Sequence, residues 1–496
     1  MHINSPTFKR VSVSHSWLAA IAAASIGVAG CGGGDSDGAS PAEAQQRIQA
    51  TLPGMSAALT QSMDRWAEDQ TLSSLSQSLG TIGASFERLF PGIVSEDEAE
   101  FPVGLAGLLP AEGDEEGLDI GAQIEAMAEV IFTAENHEGN GIYRLRGASF
   151  CEIDGVVDAE CAAELDELEL RIRATKAGDG MDIGFRIGPD QDEPLVLELR
   201  SDRLSVVVDL ADVKDMIVFL NSDPDAELPT VMEGVIAFSL LVPAENQVEI
   251  QASVRERIRV ETDSSGSGSA MKLETEARDP MYSVRMGEDA LVMAVDVGRT
   301  RVTGPWSGIY GDGSDTVEGD LDIDWQGMSF AIELQAGSDV LAVNDIGLGD
   351  GTSTIKLDSA TLLSVDLNKD SGRRFDIELA LDEAGLPRLT MDPGIDLQVS
   401  YDLAPLADGG VLVDAPLLSS SYSFVVRGEK PTLQPVEADA IAGFPGGMRV
   451  ISGEIEISAA GVAEALVVPE GKCLIEGIPD PEAHPLMGAL AAVDCP

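Results

Sequence analysis

The sequence predicts a mainly β (α+β) protein: a helical N-terminal region, then a large antiparallel β-meander built as an extended curved sheet or a barrel-like shell. Three observations carry this. The apolar period is 3.6 residues up to about residue 135 and becomes 2 from Ile142 onward. Turn-forming clusters interrupt the period-2 region at short intervals. Finally, 44% of the 496 residues are hydrophobic, which is ample for a packed core despite a formal net charge of −55.

The first segment is an address rather than a fold element. Lys9 and Arg10 form a basic start, and an apolar stretch runs from Trp17 to Ala29. It is too short to span a bilayer and ends in small residues, as a secretory signal does. The stretch closes on Val28-Ala29-Gly30-Cys31. This segment resembles the lipobox of bacterial lipoproteins. That resemblance implies a signal peptide over 1–30, cleavage before Cys31, and a lipid on the Cys31 thiol as the anchor to the lipid bilayer. Gly32, rather than an Asp, follows the Cys; by the same resemblance the outer membrane is the expected destination, facing the periplasm or the exterior. Residues 31–40 are rich in Gly and Ser and read as a flexible tether.

Residues 41–135 read as helical. Ser40, Pro41 and Glu43 supply an N-cap, a first-turn proline and a capping-box acid in the right order. Met55, Leu59, Met63 and Trp66 share one face. Leu72, Leu75, Leu79, Ile82, Phe86 and Leu89 continue it, and Pro91 ends the run. This stripe is expected to pack on its own domain, because Gly80 and Gly83 weaken an independent coiled coil. A further helix carries Ile120, Ile124, Met127 and Ile131.

From Ile142 to about residue 470 the pattern is β. Leu291, Met293, Val295 and Val297 alternate with other residues, as do Phe330, Ile332 and Leu334, then Phe375, Ile377 and Leu379. Val206, Val207 and Val208 form an unbroken apolar run, which suits a strand buried on both faces and leads into a short helix over Asp212 to Leu220. Turn signals stand at Ser264 to Ser269, Gly311 to Gly313, Asn368 to Gly372 and Asp408 to Gly410, each read as a hairpin. The reading gives about 18–20 strands. A transmembrane barrel is disfavoured, since aromatic residues make up only 4% of the chain and cannot build interfacial girdles.

Four cysteines remain besides Cys31: Cys151, Cys161, Cys473 and Cys495. An even number in an exported chain reads as disulfides, for which three connectivities are open. The local pairs 151–161 and 473–495 are favoured, the second closing a C-terminal tail over 471–496. Each such loop contributes on the order of 3 kcal/mol.

Chemistry is sparse. Glu152, Asp154 and Asp158 surround a Gly turn, and oxygen ligands so spaced can wrap calcium. The segment partly resembles a thrombospondin type 3 calcium repeat, although it is a single copy with Glu152 where an Asp is expected. Asp366 to Gly372 also looks like a calcium loop, but its glycine falls one place late and strands flank it. No GxSxG, HExxH, Walker or post-strand GxGxxG motif occurs, and the mature chain holds only His137 and His484. No catalytic residues are therefore assigned. Trp306, Tyr310 and Trp325 could line a site or anchor a strand crossing. Arg255, Arg257 and Arg259, with Arg299 and Arg301, share a strand face and are expected to pair with acids.

With 86 acidic residues against 31 Lys and Arg, nucleic acid is excluded as a partner by charge. The expected function is that of a non-enzymatic envelope lipoprotein, structural or binding an apolar ligand or an envelope protein partner. The alternatives are a calcium-dependent adhesion module and a secreted hydrolase.

Overall fold

The computed structural model describes residues 38–67, 128–147, 152–153, 156–157, 159–187, 193–220, 229–244, 246–262, 270–310, 315–338, 340–349, 351–367, 374–382, 386–402, 419–436, 447–460, 462–476 and 490–495. The protein is mainly β, with 25 strands among the described residues in one antiparallel sheet and a separate two-stranded hairpin. The chain divides into two compact units: Met1–Leu59, Gly117–Ala226 and Val235–Pro243 make the first, and Thr60–Glu116, Glu227–Gly234 and Ala244–Pro496 the second.

The first unit begins with α1 (Pro41–Ala67), of which the part up to Leu59 belongs to this unit. Its start is fixed as the sequence predicts. The Glu43 carboxylate accepts from the Ser40 backbone N–H at 3.0 Å and from the Ser40 hydroxyl at 2.8 Å. Ala44, Ile48, Leu52 and Met55 recur at helical spacing and are buried. They pack on Ile172, Ala174, Met181, Ile183 and Leu199 of the sheet. Burying Ile48, Leu52 and Met55 contributes about 1.5–3 kcal/mol each. The buried face thus starts a turn or more before the Met55–Trp66 face read from the sequence, although Met55 and Trp66 are themselves buried.

The sheet of this unit runs β1 (His137–Gly139), β2 (Ile142–Arg144), β5 (Arg171–Ala177), β6 (Gly180–Arg186), β7 (Leu195–Leu199), β8 (Arg203–Asp209) and the second part of β9 (Val231–Ala244). The small hairpin is β3 (Glu152–Ile153) with β4 (Val156–Val157). Among the described residues the further helices are α2 (Ala159–Glu167) and α3 (Leu210–Leu220). Val206 and Val207 are 2% and 0% exposed on opposite faces of β8, so this strand is buried on both sides as expected. Asp209 caps α3, its carboxylate accepting from the Ala211 N–H at 2.9 Å.

The second unit is built from long crossings of the sheet, most of them broken once. It opens with β10 (Gln247–Glu261). Next, β11 (Lys272–Thr275) runs into β12 (Arg278–Met286), and β13 (Ala290–Val297) into β14 (Thr300–Tyr310). Likewise β15 (Asp315–Trp325) continues as β16 (Met328–Gln335), and β17 (Val340–Gly347) as β18 (Ser353–Leu357). The pattern repeats in β19 (Ala360–Leu367) with β20 (Arg374–Leu381), and in β21 (Pro387–Met391) with β22 (Asp396–Asp402). Then β23 (Ser419–Val436) and β24 (Gly447–Ala459) cross whole, and β25 (Leu466–Pro469), β26 (Lys472–Glu476) and β27 (Leu490–Asp494) finish the unit.

Pairing sorts these pieces into two lanes. One lane follows β10, β12, β13, β16, β17, β20, β21, β23, β24, β26 and β27. The other follows β10, β11, β14, β15, β18, β19, β22, β23, β24 and β25. The expected meander is therefore real, but its unit is the broken long strand. Among the described residues no pairing joins β25 or β27 back to β10.

Glycines hold the breaks. Gly327 (φ 108°) and Gly349 (φ 77°) at breaks, and Gly453 (φ 81°) at an irregularity of register within the unbroken β24, take backbone conformations that L-residues rarely adopt. A Cβ on Gly349 would stand 2.1 Å from the Gln326 carbonyl oxygen. The apolar phase slips by one residue across several breaks: odd positions 291 to 297 precede Val302, and odd positions 321 to 325 precede Met328 to Leu334. An inserted bulge residue resets the alternation, so apolar side chains stay on one side of the sheet.

One expected hairpin is corrected. Asn368 to Gly372 lie outside the described residues, but the strands on either side, β19 and β20, belong to different lanes and do not pair with each other. A turn-rich sequence marks an interruption, and only strand pairing shows whether the chain reverses there.

Candidate functional site

The feature with the clearest capacity to bind is the apolar face of the second unit. Directly opposed residues of antiparallel strands point to the same face, so register turns alternating sequences into rows. One row runs from Val248 on β10 through Leu291, Leu334, Leu341 and Leu379 to Val450 on β24. These six are 0–8% exposed. Two residues further along each strand lies a second row: Ile250, Val284, Met293, Ile332, Val343 and Ile377. None of these is buried, and Ile250 is 38% exposed. Six strands at about 4.8 Å spacing give this row a length of about 24 Å.

The other lane continues the face. Leu273, Val302, Ile323, Ile355 and Leu363 lie in register on five strands and are all half-buried. The row ends at Tyr401, whose ring stacks on that of Tyr422 with centroids 6.0 Å apart. Burial pushes the Tyr422 phenol above its ordinary range, and the Tyr401 hydroxyl 3.4 Å away adds to this. Toward β24 and β25 the face closes: Val426, Ile455, Ile457 and Val468 are 0–2% exposed. No charged side chain stands in these rows. They present a strip that water wets poorly and that a chain of methylenes would cover.

The opposite face is polar. Arg257 meets Glu274 at 2.7 Å, Arg299 clasps Asp324, and Arg301 holds Asp322 through two bonds of 2.9 Å. Arg259 reaches Glu261 at 2.7 Å. Hydrogen bonds from Arg301 hold the Asp322 carboxyl below its usual range, and Lys272 does the same for Glu274. A cavity of 390 Å³ opens among Arg257, Glu274, Glu276, Arg299 and Arg301. All three arginines there are engaged by acids, so the expected pairing holds and no anion site is built. Exposed pairs of this kind contribute little individually.

The other residues singled out by sequence fall as follows. Cys473 and Cys495 form a disulfide, with Cα atoms 5.2 Å apart. It clamps β26 to the end of β27, and β26 in turn pairs with β24, so the tail strands extend the large sheet. Cys31 and Cys151 lie outside the described residues, and Cys161 falls within α2. Of the proposed calcium ligands, Glu152 is in β3, whereas Asp154 and Asp158 lie outside the described residues. Among the described residues no group of acids, His or Cys is arranged to hold a metal. Asp366 is 5% exposed and accepts from the Thr352 hydroxyl at 2.8 Å. His137 stacks on Tyr143 at 4.9 Å, and His484 lies outside the described residues. Trp306 pairs with Gly319 through its backbone, and Trp325 is half-buried beside the β15–β16 break. The helical stripe from Leu72 to Leu89 and the residues Ile120 to Met127 lie outside the described residues as well.

Two features escaped the sequence reading. One is α2, nine residues of Ala, Glu, Leu, Asp and Cys whose composition favours helix but whose length gives little periodic signal. The other is the pair of rows, because alternation marks a strand's face without naming its neighbours.

No protein-family profile, curated protein or solved structure matches this chain.

Proposed function

We propose that the chain is an outer-membrane lipoprotein anchored through Cys31, and that the apolar face of its second unit holds a long-chain lipid. The anchor reading is supported by the ordered basic start, short apolar stretch and Val28-Ala29-Gly30-Cys31. The ligand reading rests on one observation: a half-buried apolar row about 24 Å long beside a buried one, uninterrupted by charge. Leaving such a strip in water costs about 25 cal/mol for each Å². An acyl chain laid across the strands removes that cost, and a non-enzymatic carrier or sequestering role needs no catalytic group.

The test is extraction. Organic solvent applied to the purified protein is expected to release long-chain lipid, and Met293→Asp with Ile332→Asp is expected to abolish its retention while circular dichroism stays that of a β protein. Protein that yields no lipid and takes none up from phosphatidylethanolamine vesicles removes the ligand reading. A form of the chain with unmodified Cys31 in the native membrane removes the anchor reading.

A further inference from the structure

The residues that follow the tether are fastened into the first unit. Gly38 bridges Thr175 of β5, and the Ala39 N–H donates to the Ala174 carbonyl at 2.9 Å. Ala39 is 1% exposed, and the buried Tyr143 hydroxyl donates to its carbonyl at 2.6 Å. The fit leaves no room. A Cβ on Gly141 would stand 2.2 Å from the Ala174 oxygen and 2.6 Å from the Gly38 Cα, and one on Gly38 would stand 2.2 Å from the Asn140 carbonyl carbon. Immediately beyond, the capping box starts α1, and Glu43 pairs with Lys176 at 2.9 Å. Arg47 ties the same helix to the β5–β6 turn through the Gly178 and Gly180 carbonyls.

We infer that the lipid anchor works through a short leash whose far end is fastened at Gly38, which keeps the end of the first unit bearing the β1–β2 and β5–β6 turns close to the bilayer surface. The inference rests on the proposed lipidation of Cys31. Only seven residue steps separate Cys31 from Gly38. Fully extended, they reach about 25 Å. The leash was expected to run to Ser40, but backbone pairing ends it at Gly38. The partner is the headgroup layer of the bilayer that holds the lipid. Because the chain is strongly acidic, a zwitterionic surface suits this approach better than an anionic one.

The experiment uses the lipidated full-length chain on phosphatidylcholine vesicles, with a fluorescent non-canonical amino acid at Asp179 in the β5–β6 turn and an acceptor on the lipid headgroups. Energy transfer is expected, and a Gly-Ser insert of about 20 residues after Gly34 is expected to lower it while both proteins still float with the vesicles. Transfer no higher than in the insertion variant, in protein whose mass shows the lipid on Cys31, overturns the leash alone. A mass lacking the lipid overturns the anchor and the leash together. Hydrogen exchange gives a second reading: the Ala39 amide is expected to be protected, and exchange at the rate of a free chain overturns the fixed attachment.

Discussion

Glu43 closes the first turn of α1 by accepting from Ser40 and links that turn to β5 through Lys176. The Ser40 backbone N–H, then Lys176, then the Ser40 hydroxyl hold its carboxyl at about 2, against an ordinary 4.5. A folded-state pKa below the unfolded one stabilises above the unfolded value, and that contribution fades as pH falls toward the folded value. Glu43→Gln is therefore expected to lower the melting temperature at pH 7, with the gap closing between pH 4.5 and about 2. A gap of the same size at pH 2 in thermal melts would show that the charge is not what matters. The cap was legible in the sequence because Ser40, Pro41 and Glu43 are local to one another. The partner Lys176 was not, since it lies on a strand 133 residues away that no local pattern specifies.

At the scale of elements, glycines at breaks and at irregularities of register shape how the second unit is laid out. Gly428 and Gly453 meet across β23 and β24, where a Cβ on the first would stand 2.8 Å from the second's Cα. Gly453 has φ 81°, and a Cβ there would stand 2.5 Å from the Arg427 oxygen. Gly453→Ala is thus expected to destabilise by about 1–3 kcal/mol, read as a shift of the urea midpoint with an unchanged slope. A shift below about 0.5 kcal/mol would mean the bulge relaxes freely. Part of this layout could be read beforehand. Alternation located β13, β16 and β20 well, and the phase slip between Trp325 and Met328 is visible in the sequence. That β19 and β20 do not pair with each other could not be read from Asn368 to Gly372, because Gly, Asp and Asn suit a hairpin or an interruption equally.

For the molecule as a whole, the charge of −55 sets conditions for stability rather than for fold. Described arginines and lysines are largely spent in pairs along the polar face, such as Arg301 with Asp322 and Arg257 with Glu274. The excess acids repel one another through solvent. Raising salt from about 10 mM to 0.5 M shortens the Debye length from about 30 Å to below 8 Å. The melting temperature is expected to rise over that range, and a fall would show that the ion pairs outweigh the general repulsion. The proposed lipid would add to stability by mass action, so protein stripped of it is expected to melt lower than protein as purified.

The sequence by itself determined the class of fold, the helix start at Ser40, the acidic surface, the face that each strand turns inward, and the pattern proposed to carry the anchor. These are properties of residues within a few positions of one another, where spacing and chemistry suffice. Tertiary structure alone decided which strands are neighbours, that the long crossings split into two lanes, that one apolar row is buried while the next is half-buried, and that the chain is pinned from Gly38. Each of these depends on pairing between residues far apart in the chain. Many registers satisfy the same alternation, and the native one is selected only when all the rows pack together.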